Sequence, residues 1–443
     1  MHVNRRRFFG LTGSGVLGAG MSHWFTRLAA AQGKALAGSR HCILLWMPGG
    51  PSQTDTFDMK PGHENGGEFK PISTSVPGIS FSEHLPQLAK QAENLAIVRG
   101  LSTSEGDHNR GTYLMHTGHR PGGPISYPTI GSSVSKALGQ PEAELPNFVS
   151  ISPYTAFNQA AYTSGFLGPR YAPLTVAASA PGRPVPAQGT DQAYATLGVD
   201  DLSDPSVNIQ QQDARLKLWR TLQDSFIAQH QVASANAQNT VYQRAVKMMR
   251  SESAKAFDVA AEADKVRDSY GRGRFGQGCL MARRLVERGV PFIELSLRGT
   301  TGGALGWDTH ADNFNRVKRL STELDQGWAT LMTELKDRGL LESTTIIWAG
   351  EFGRTPKINA NGGRDHFPAA WTSVLAGGGI KGGTVHGQTS DDGMKVTDGK
   401  TNVGDLFATL CQAAALNPAT ENISEMGRPI KIAEGNPIET VLS

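Results

Sequence analysis

Four short segments of this 443-residue chain concentrate aspartate, glutamate, histidine and arginine beside glycine. The first is Gly49-Gly50-Pro51-Ser52-Gln53-Thr54-Asp55-Thr56-Phe57-Asp58. Its glycines leave backbone N–H groups open, and Asp55 and Asp58 could hold a cation or simply cap turns and a helix start. The second is Glu105-Gly106-Asp107-His108-Asn109-Arg110-Gly111-Thr112. A helix beginning near Asn109 would offer free N–H groups and Arg110 to an anion, with His108 as ligand or proton carrier. The third, Gly306-Trp307-Asp308-Thr309-His310-Ala311-Asp312, sets Asp308 and His310 two positions apart. Oxygen and imidazole ligands of that kind suit zinc, manganese or iron, whereas the alternative is that Asp308 or Thr309 caps the next helix. The fourth is richest: Gly350-Glu351-Phe352-Gly353-Arg354-Thr355-Pro356 is followed closely by Gly362-Gly363-Arg364-Asp365-His366-Phe367-Pro368. Arg354 and Arg364 supply the rigid fork that phosphate or sulfate oxygens accept, and Glu351, Asp365 and His366 could bind metal. The plainer alternative is a set of ion pairs tying loops together. His386, in Gly383-Thr384-Val385-His386-Gly387, is a fifth candidate.

The elements that must carry these segments follow from hydrophobic pattern. His41 to Met47 is an apolar run without alternation, as expected of a strand buried on both faces, and Pro48-Gly49-Gly50 ends it. Similar runs predict strands at 95–99, 147–150, 291–297, 343–348 and 371–376. Phe314, Val317, Leu320, Leu324, Trp328, Leu331 and Leu335 fall three or four apart, which predicts one long amphipathic helix over 311–337. A final helix is predicted over 403–415. Residues 160–205, rich in Pro, Gly, Ala and Ser, read as a surface excursion, and about 208–290 as a mostly helical insertion. Strand, helix, strand in succession predicts an α/β domain with a mainly parallel central sheet flanked by helices. Ligands in such sheets bind beyond the carboxyl ends of strands, where the polar segments fall.

The amino terminus predicts an address. Arg5-Arg6-Arg7-Phe8-Phe9 precedes a glycine-rich, weakly apolar stretch ending in Leu28-Ala29-Ala30-Ala31, the pattern of a twin-arginine signal peptide over 1–31. The expectation is export through the twin-arginine machinery to the periplasm or another extracytoplasmic space. Arg27 interrupts the run short of the roughly 20 apolar residues of a membrane span, so no transmembrane domain is expected in the mature chain. Those first 31 residues hold Arg5, Arg6, Arg7 and Arg27 and no acidic residue; without them the basic count falls from 43 to 39 against 40 acidic. The basic balance therefore belongs to the address, and no nucleic-acid partner is expected. Cys42, Cys279 and Cys411 are dispersed and form no metal cluster; buried thiols are expected. No phosphate loop, Gly-x-Ser-x-Gly elbow, His-Glu-x-x-His or Cys-x-x-Cys is found.

Several motifs together resemble one family. Gly-Gly-Pro-Ser at 49–52, Tyr270-Gly271, Phe275-Gly276-Gln277-Gly278-Cys279-Leu280 and Ala282-Arg283-Arg284-Leu285-Val286-Glu287 belong to the set. So do Gly306–His310, Gly350–Pro356, Gly363-Arg364-Asp365-His366 and Ala376–Gly379. The sequence resembles the bacterial exported family of unknown function numbered 1501, a distant branch of the alkaline phosphatase and sulfatase superfamily. That resemblance covers residues 32–443 and implies an alkaline phosphatase-like sheet with metal-dependent hydrolysis of a phosphate or sulfate ester. The implied ligands of a divalent metal (zinc, manganese, calcium or magnesium) are Asp308, His310, Glu351, Asp365, His366 and Asp55. The implied catalytic set is His108, Thr112, Arg110, Arg354 and Arg364, with water or Thr112 as nucleophile. Typical superfamily members place a metal-binding aspartate directly after the first strand, where this chain has Pro48-Gly49-Gly50. The alternative reading is a non-catalytic protein binding an anionic small molecule or a sulfated or phosphorylated glycan on the same scaffold.

Overall fold

The computed structural model describes residues 40–443 apart from 141, 178–192, 201, 203–207, 230–232 and 300–305. The predicted signal segment lies outside the described residues. Eight strands make the central sheet: β1 His41–Trp46, β2 Leu95–Leu101, β3 Phe148–Ile151, β4 Leu174–Val176, β5 Phe292–Ser296, β6 Thr344–Ala349, β7 Trp371–Gly377 and β8 Thr384–His386. Their order across the sheet is β8-β2-β7-β6-β1-β5-β3-β4. Every neighbouring pair is parallel except the two made by β7, which runs against both β2 and β6. The sheet is thus mainly parallel, and β1 sits at its centre with every residue buried.

Alternation along the strands divides the core into two layers. Ile43, Leu45, Ile293, Leu295, Ile346 and Trp348 face one way. There they meet α5 (Arg274–Val286) and the 25-residue helix α6 (Asn313–Asp337). Cys42, Leu44, Trp46, Phe148, Phe292 and Ile347 face the other way. They are covered by α1 (His108–Thr117), α2 (Ile130–Leu138) and α7 (Val403–Ala413). The region read as a helical insertion carries α3 (Ile209–Gln229) and α4 (Ala233–Met249) before a short helix and α5. Cys42, Cys279 and Cys411 are buried free thiols.

Three details differ from the pattern-based expectation. Helix α6 starts at Asn313 because Asp312 takes a left-handed φ of 50°, which breaks helical backbone at the residue before it. Within the stretch read as a surface excursion, Leu174–Val176 pairs in parallel with β3 as an edge strand. Thr384–His386 forms the opposite edge against β2.

Candidate metal centre at the strand ends

Each polar segment leaves the sheet at the carboxyl end of a strand. Pro48–Gly50 follow β1, residues 102–107 lead from β2 into α1, Asp308 and His310 lie between β5 and α6, and Glu351 follows β6. A further short antiparallel pair, Gly353–Arg354 with His366–Phe367, folds the fourth segment back over the site. Two glycines allow the close approach. Gly49 has φ +108°, and a Cβ there would stand 2.2 Å from the Asp308 nitrogen. At Gly111 a Cβ would be 3.2 Å from Glu351 Cβ, so glycine lets α1 pack directly on the β6 loop.

Three imidazoles converge on one carboxylate oxygen. Asp308 Oδ1 lies 3.3 Å from His108 Nε2, 3.1 Å from His310 Nε2 and 3.4 Å from His366 Nε2. His310 Nε2 and His366 Nε2 are 3.0 Å apart. The opposite nitrogen of each ring meets an acceptor: His108 Nδ1 donates to Glu351 Oε1 at 2.6 Å, His310 Nδ1 to Asp365 Oδ1 at 2.7 Å, and His366 Nδ1 to the Gly106 carbonyl at 2.7 Å. Those partners place a proton on Nδ1 in all three, so each Nε2 turns inward, toward another Nε2 or toward a carboxylate. A cation fits among them. Two ligand atoms about 2.1 Å from one ion at a tetrahedral angle stand roughly 3.4 Å apart. The observed separations, 3.0 to 3.4 Å, have that size. His108, Asp308 and His366 each place a ligand atom within 4.8 Å of the others, and the cluster can coordinate a divalent metal. Fixing imidazole orientation through Nδ1 to a carboxylate or carbonyl is the usual outer support of a metal ligand.

Electrostatics follow from the same contacts. Burial acts to lower the His108 pKa, but hydrogen bonds and charge from Asp308 and Glu351 prevail and push it up to about 9. Burial would raise the Asp308 carboxyl, yet His108, His366 and Arg354 together hold it far below the usual carboxylate range. Arg354 is fully buried, and its Nη2 meets Asp308 Oδ1 at 2.5 Å while Nε donates to the Gly50 carbonyl at 3.1 Å. Glu351, also fully buried, accepts the Gly49 N–H at 2.8 Å. The His108 ring is stacked on Phe157, centroids 4.1 Å apart. Arg316 donates to the Asp308 carbonyl at 2.8 Å, which pins the loop behind the carboxylate.

Of the residues singled out from sequence, the structure brings together His108, Asp308, His310, Glu351, Arg354, Asp365 and His366. Glu351 and Asp365 touch imidazoles from behind, at Nδ1. Arg364 and Asp55 lie elsewhere, as a fully buried bidentate pair with both N–O distances 2.8 Å. Arg110 forks onto Glu105 at 2.6 and 3.0 Å, at the surface. Thr112 lies on α1 one turn beyond His108, buried, its hydroxyl without a hydrogen-bond partner among the described residues. His386 is on β8 at the sheet edge, with Nδ1 2.8 Å from Thr440 Oγ1. Pattern reading missed Phe157, Arg316 and the Gly106 carbonyl. Only Arg316, a lone basic residue in the first turn of a helix where acidic ones are favoured, left a local signal.

The fold and site define an α/β protein with a mainly parallel sheet whose strand ends carry a His/Asp/His cluster able to bind a divalent metal. The chain belongs to the family described as protein of unknown function, DUF1501, whose model matches residues 39–442. No curated protein matches it. Solved structures to which it is similar include the lipoteichoic acid synthase LtaP from Listeria monocytogenes, at 8% identity over 91% of this chain and 76% of that one, TM-score 0.41. The PsFucS1 sulfatase from Pseudoalteromonas sp. is similar at 12% identity over 88% and 71%, TM-score 0.38. The C-terminal periplasmic domain of EcEptC from Escherichia coli, solved in complex with Zn, is similar at 10% identity over 92% and 93%, TM-score 0.37. Among the described residues no helix is long and apolar enough to cross a membrane.

Proposed function

We propose that this chain is a metal-dependent hydrolase of a phosphate or sulfate ester, exported by the twin-arginine machinery and working in the periplasm or another extracytoplasmic space. The observation that carries the reading is the inward convergence of three Nε2 atoms and one carboxylate oxygen, each ring held through Nδ1. His108, Asp308 and His366 would hold the ion, with His310 at its exposed edge. A divalent metal bound there supplies Lewis acidity and lowers the pKa of water. The chain's own residues do the rest. Glu351 and Asp365 keep the Nδ1 protons in place, Arg354 keeps Asp308 ionised, and Phe157 fixes the His108 ring. Attack is assigned to water, since the Thr112 hydroxyl is buried inside α1's packed face.

The alternative of a non-catalytic anion-binding protein needs an arginine-lined cleft. Arg354 and Arg364 are both fully buried and bonded to backbone carbonyls and carboxylates, which leaves neither free for a ligand. The test is elemental analysis of folded protein beside an Asp308→Asn, His366→Gln double variant, followed by turnover of aryl phosphate and aryl sulfate esters. Bound metal lost in the double variant, with ester cleavage lost alongside, is expected. A parent that stays metal-free when zinc, manganese, magnesium and calcium are supplied would overturn the reading.

A further inference from the structure

Arg354 and Arg364 are committed to internal contacts, but two other arginines at the same end of the sheet are not. Arg298 lies two residues beyond β5 and is half-buried, and its guanidinium makes no hydrogen bond or ion pair among the described residues. Its backbone packs on the loop that carries Asp308: a Cβ at Gly306 would stand 3.3 Å from the Arg298 carbonyl oxygen. Arg274, also half-buried, opens α5. That helix turns directly into β5, with the Val290 N–H bonded to the Leu285 carbonyl at 3.1 Å, so it runs back along the strand. Its first turn therefore stands at the carboxyl end of β5. Gly278, one turn further on, already rests on the strand, where a Cβ would meet Leu295 Cδ1 at 2.5 Å.

Arg274 likewise has no hydrogen-bond or ion-pair partner among the described residues, and the first turn of α5 holds no acidic residue. Glu323, whose Oε2 would lie 3.7 Å from a Cβ at Gly273, answers to Arg319 instead. Burial and then the positive charge of Arg274 lower the Arg298 pKa, so the two cations stand close enough to repel. An anion held between them offsets both the desolvation and the repulsion. Two aromatic rings link this pair with the imidazole cluster. Phe157 is stacked on His108 at 4.1 Å, and Tyr154 meets Phe157 edge-on at 4.8 Å. Burial raises the Tyr154 pKa, with Arg298 acting against the rise and Asp308 and Glu351 adding to it; the phenol is thus within electrostatic reach of both groups. The chain is turned into this position at Ser152, a buried residue with φ 52° at the end of β3. A left-handed residue other than glycine is strain of the kind held at ligand sites.

We propose that Arg298 and Arg274, with the Tyr154 hydroxyl, receive a second anionic group of the substrate. The ester at the metal centre is then one group of a molecule carrying at least one further phosphate, sulfate or carboxylate. Arg298 forms no ion pair with Asp308 or Glu351, and the rings of Phe157 and Tyr154 lie along the path from His108. The group it holds is therefore separate from the one over the metal, and Arg298 sets specificity rather than taking part in bond cleavage. The assignment of the cleaved ester rests on the hydrolase reading; the anion site rests on the arginines alone.

The test is calorimetric titration of the whole protein, supplied with zinc, using phosphonates, which resist hydrolysis. Alkylphosphonates are the single-anion probes, and α,ω-bisphosphonates of matching chain length are the two-anion probes. One length of bisphosphonate is expected to bind about tenfold or more tighter than its single-anion counterpart, the scale of one charge-assisted contact. Arg298→Met should remove that gain and leave alkylphosphonate affinity within about twofold of the parent; Arg274→Met should remove part of it. The parent series decides the matter even where a variant folds poorly. A parent that prefers no bisphosphonate would overturn the proposal. So would equal losses of both probes in Arg298→Met, since the arginine would then serve the group on the metal. Should the protein take up no metal, alkylphosphonate binding that is lost in Arg298→Met would sink the hydrolase reading and leave the anion site standing.

Discussion

Glu351→Gln isolates the contribution of the buried charge behind His108. Glu351 Oε1 receives both the His108 Nδ1 proton at 2.6 Å and the Gly49 N–H at 2.8 Å. Glutamine keeps the size and one accepting oxygen, so the Gly49 contact can survive while the full negative charge is removed. The imidazole then becomes a weaker donor toward a metal. Loss of such an outer partner typically costs about 10–100-fold in metal affinity, which is about 1.4–2.7 kcal/mol. The assay is a competition titration against a chromophoric chelator at neutral pH, with thermal melts to show that the variant is folded. Asp365→Asn, whose carboxylate is 55% exposed, should cost less because solvent already screens its contact with His310. If Glu351→Gln binds metal within about twofold of the parent while Asp365→Asn weakens it strongly, the argument that buried carboxylate charge tunes His108 is wrong.

Three further outcomes are expected. Arg364→Met should destabilise the protein by about 3–5 kcal/mol, because it strands the fully buried Asp55 carboxylate; urea denaturation reads this, and metal affinity should be nearly unchanged in the folded fraction. Gly49→Ala places a Cβ 2.2 Å from the Asp308 nitrogen at φ +108°, so metal affinity should fall sharply even where the variant folds; retained parent-like affinity in a chelator competition would refute the close-approach argument. In metal-free protein the His108 pKa stands at about 9, above its ordinary 6.5. A raised folded-state value contributes stability that is fully present below about pH 6.5 and lost as pH rises through about 9. Chelated protein should therefore denature more easily at pH 9.5 than at pH 6, by an amount that His108→Gln abolishes. Because metal must displace the same proton, apparent affinity should rise with pH over that window.

Much of the sheet was legible because its central strands are buried on both faces. His41–Trp46 and Thr344–Ala349 have no polar alternation to hide them, and both are wholly buried in place. Strand direction leaves no such mark: Trp371–Gly377 carries the same kind of apolar run as the two strands beside it yet runs against both. The edge strands Leu174–Val176 and Thr384–His386 have three residues each, too few to carry a period. What placed them is pairing with β3 and β2, a tertiary fact.

The candidate site shows the same division between position and partner. Strand-end logic located His108, Asp308, His310 and His366, since each lies where a parallel sheet exposes its loops. It could not assign contacts, because those depend on which loop meets which. Arg354 and Arg364 stand ten residues apart in similar glycine-rich surroundings. Yet the first reaches Asp308 and the second Asp55, 309 residues distant in sequence. Asp365 and His366 are neighbours that look like a joint ligand pair, but consecutive side chains at the start of an extended segment point to opposite sides. His366 turns its Nε2 toward Asp308, while Asp365 reaches the Nδ1 of His310 from outside. The opposite holds on α1, where a four-residue repeat does predict a shared face. His108, Thr112 and His116 are an unbroken polar stripe from the strand ends into the core, and Glu294 waits beneath its far end. A stripe of that kind would be a liability in a purely apolar layer. Its survival is intelligible because each end meets a carboxylate, Asp308 and Glu351 at His108 and Glu294 at His116, partners from other segments that only the packing of α1 on the sheet reveals.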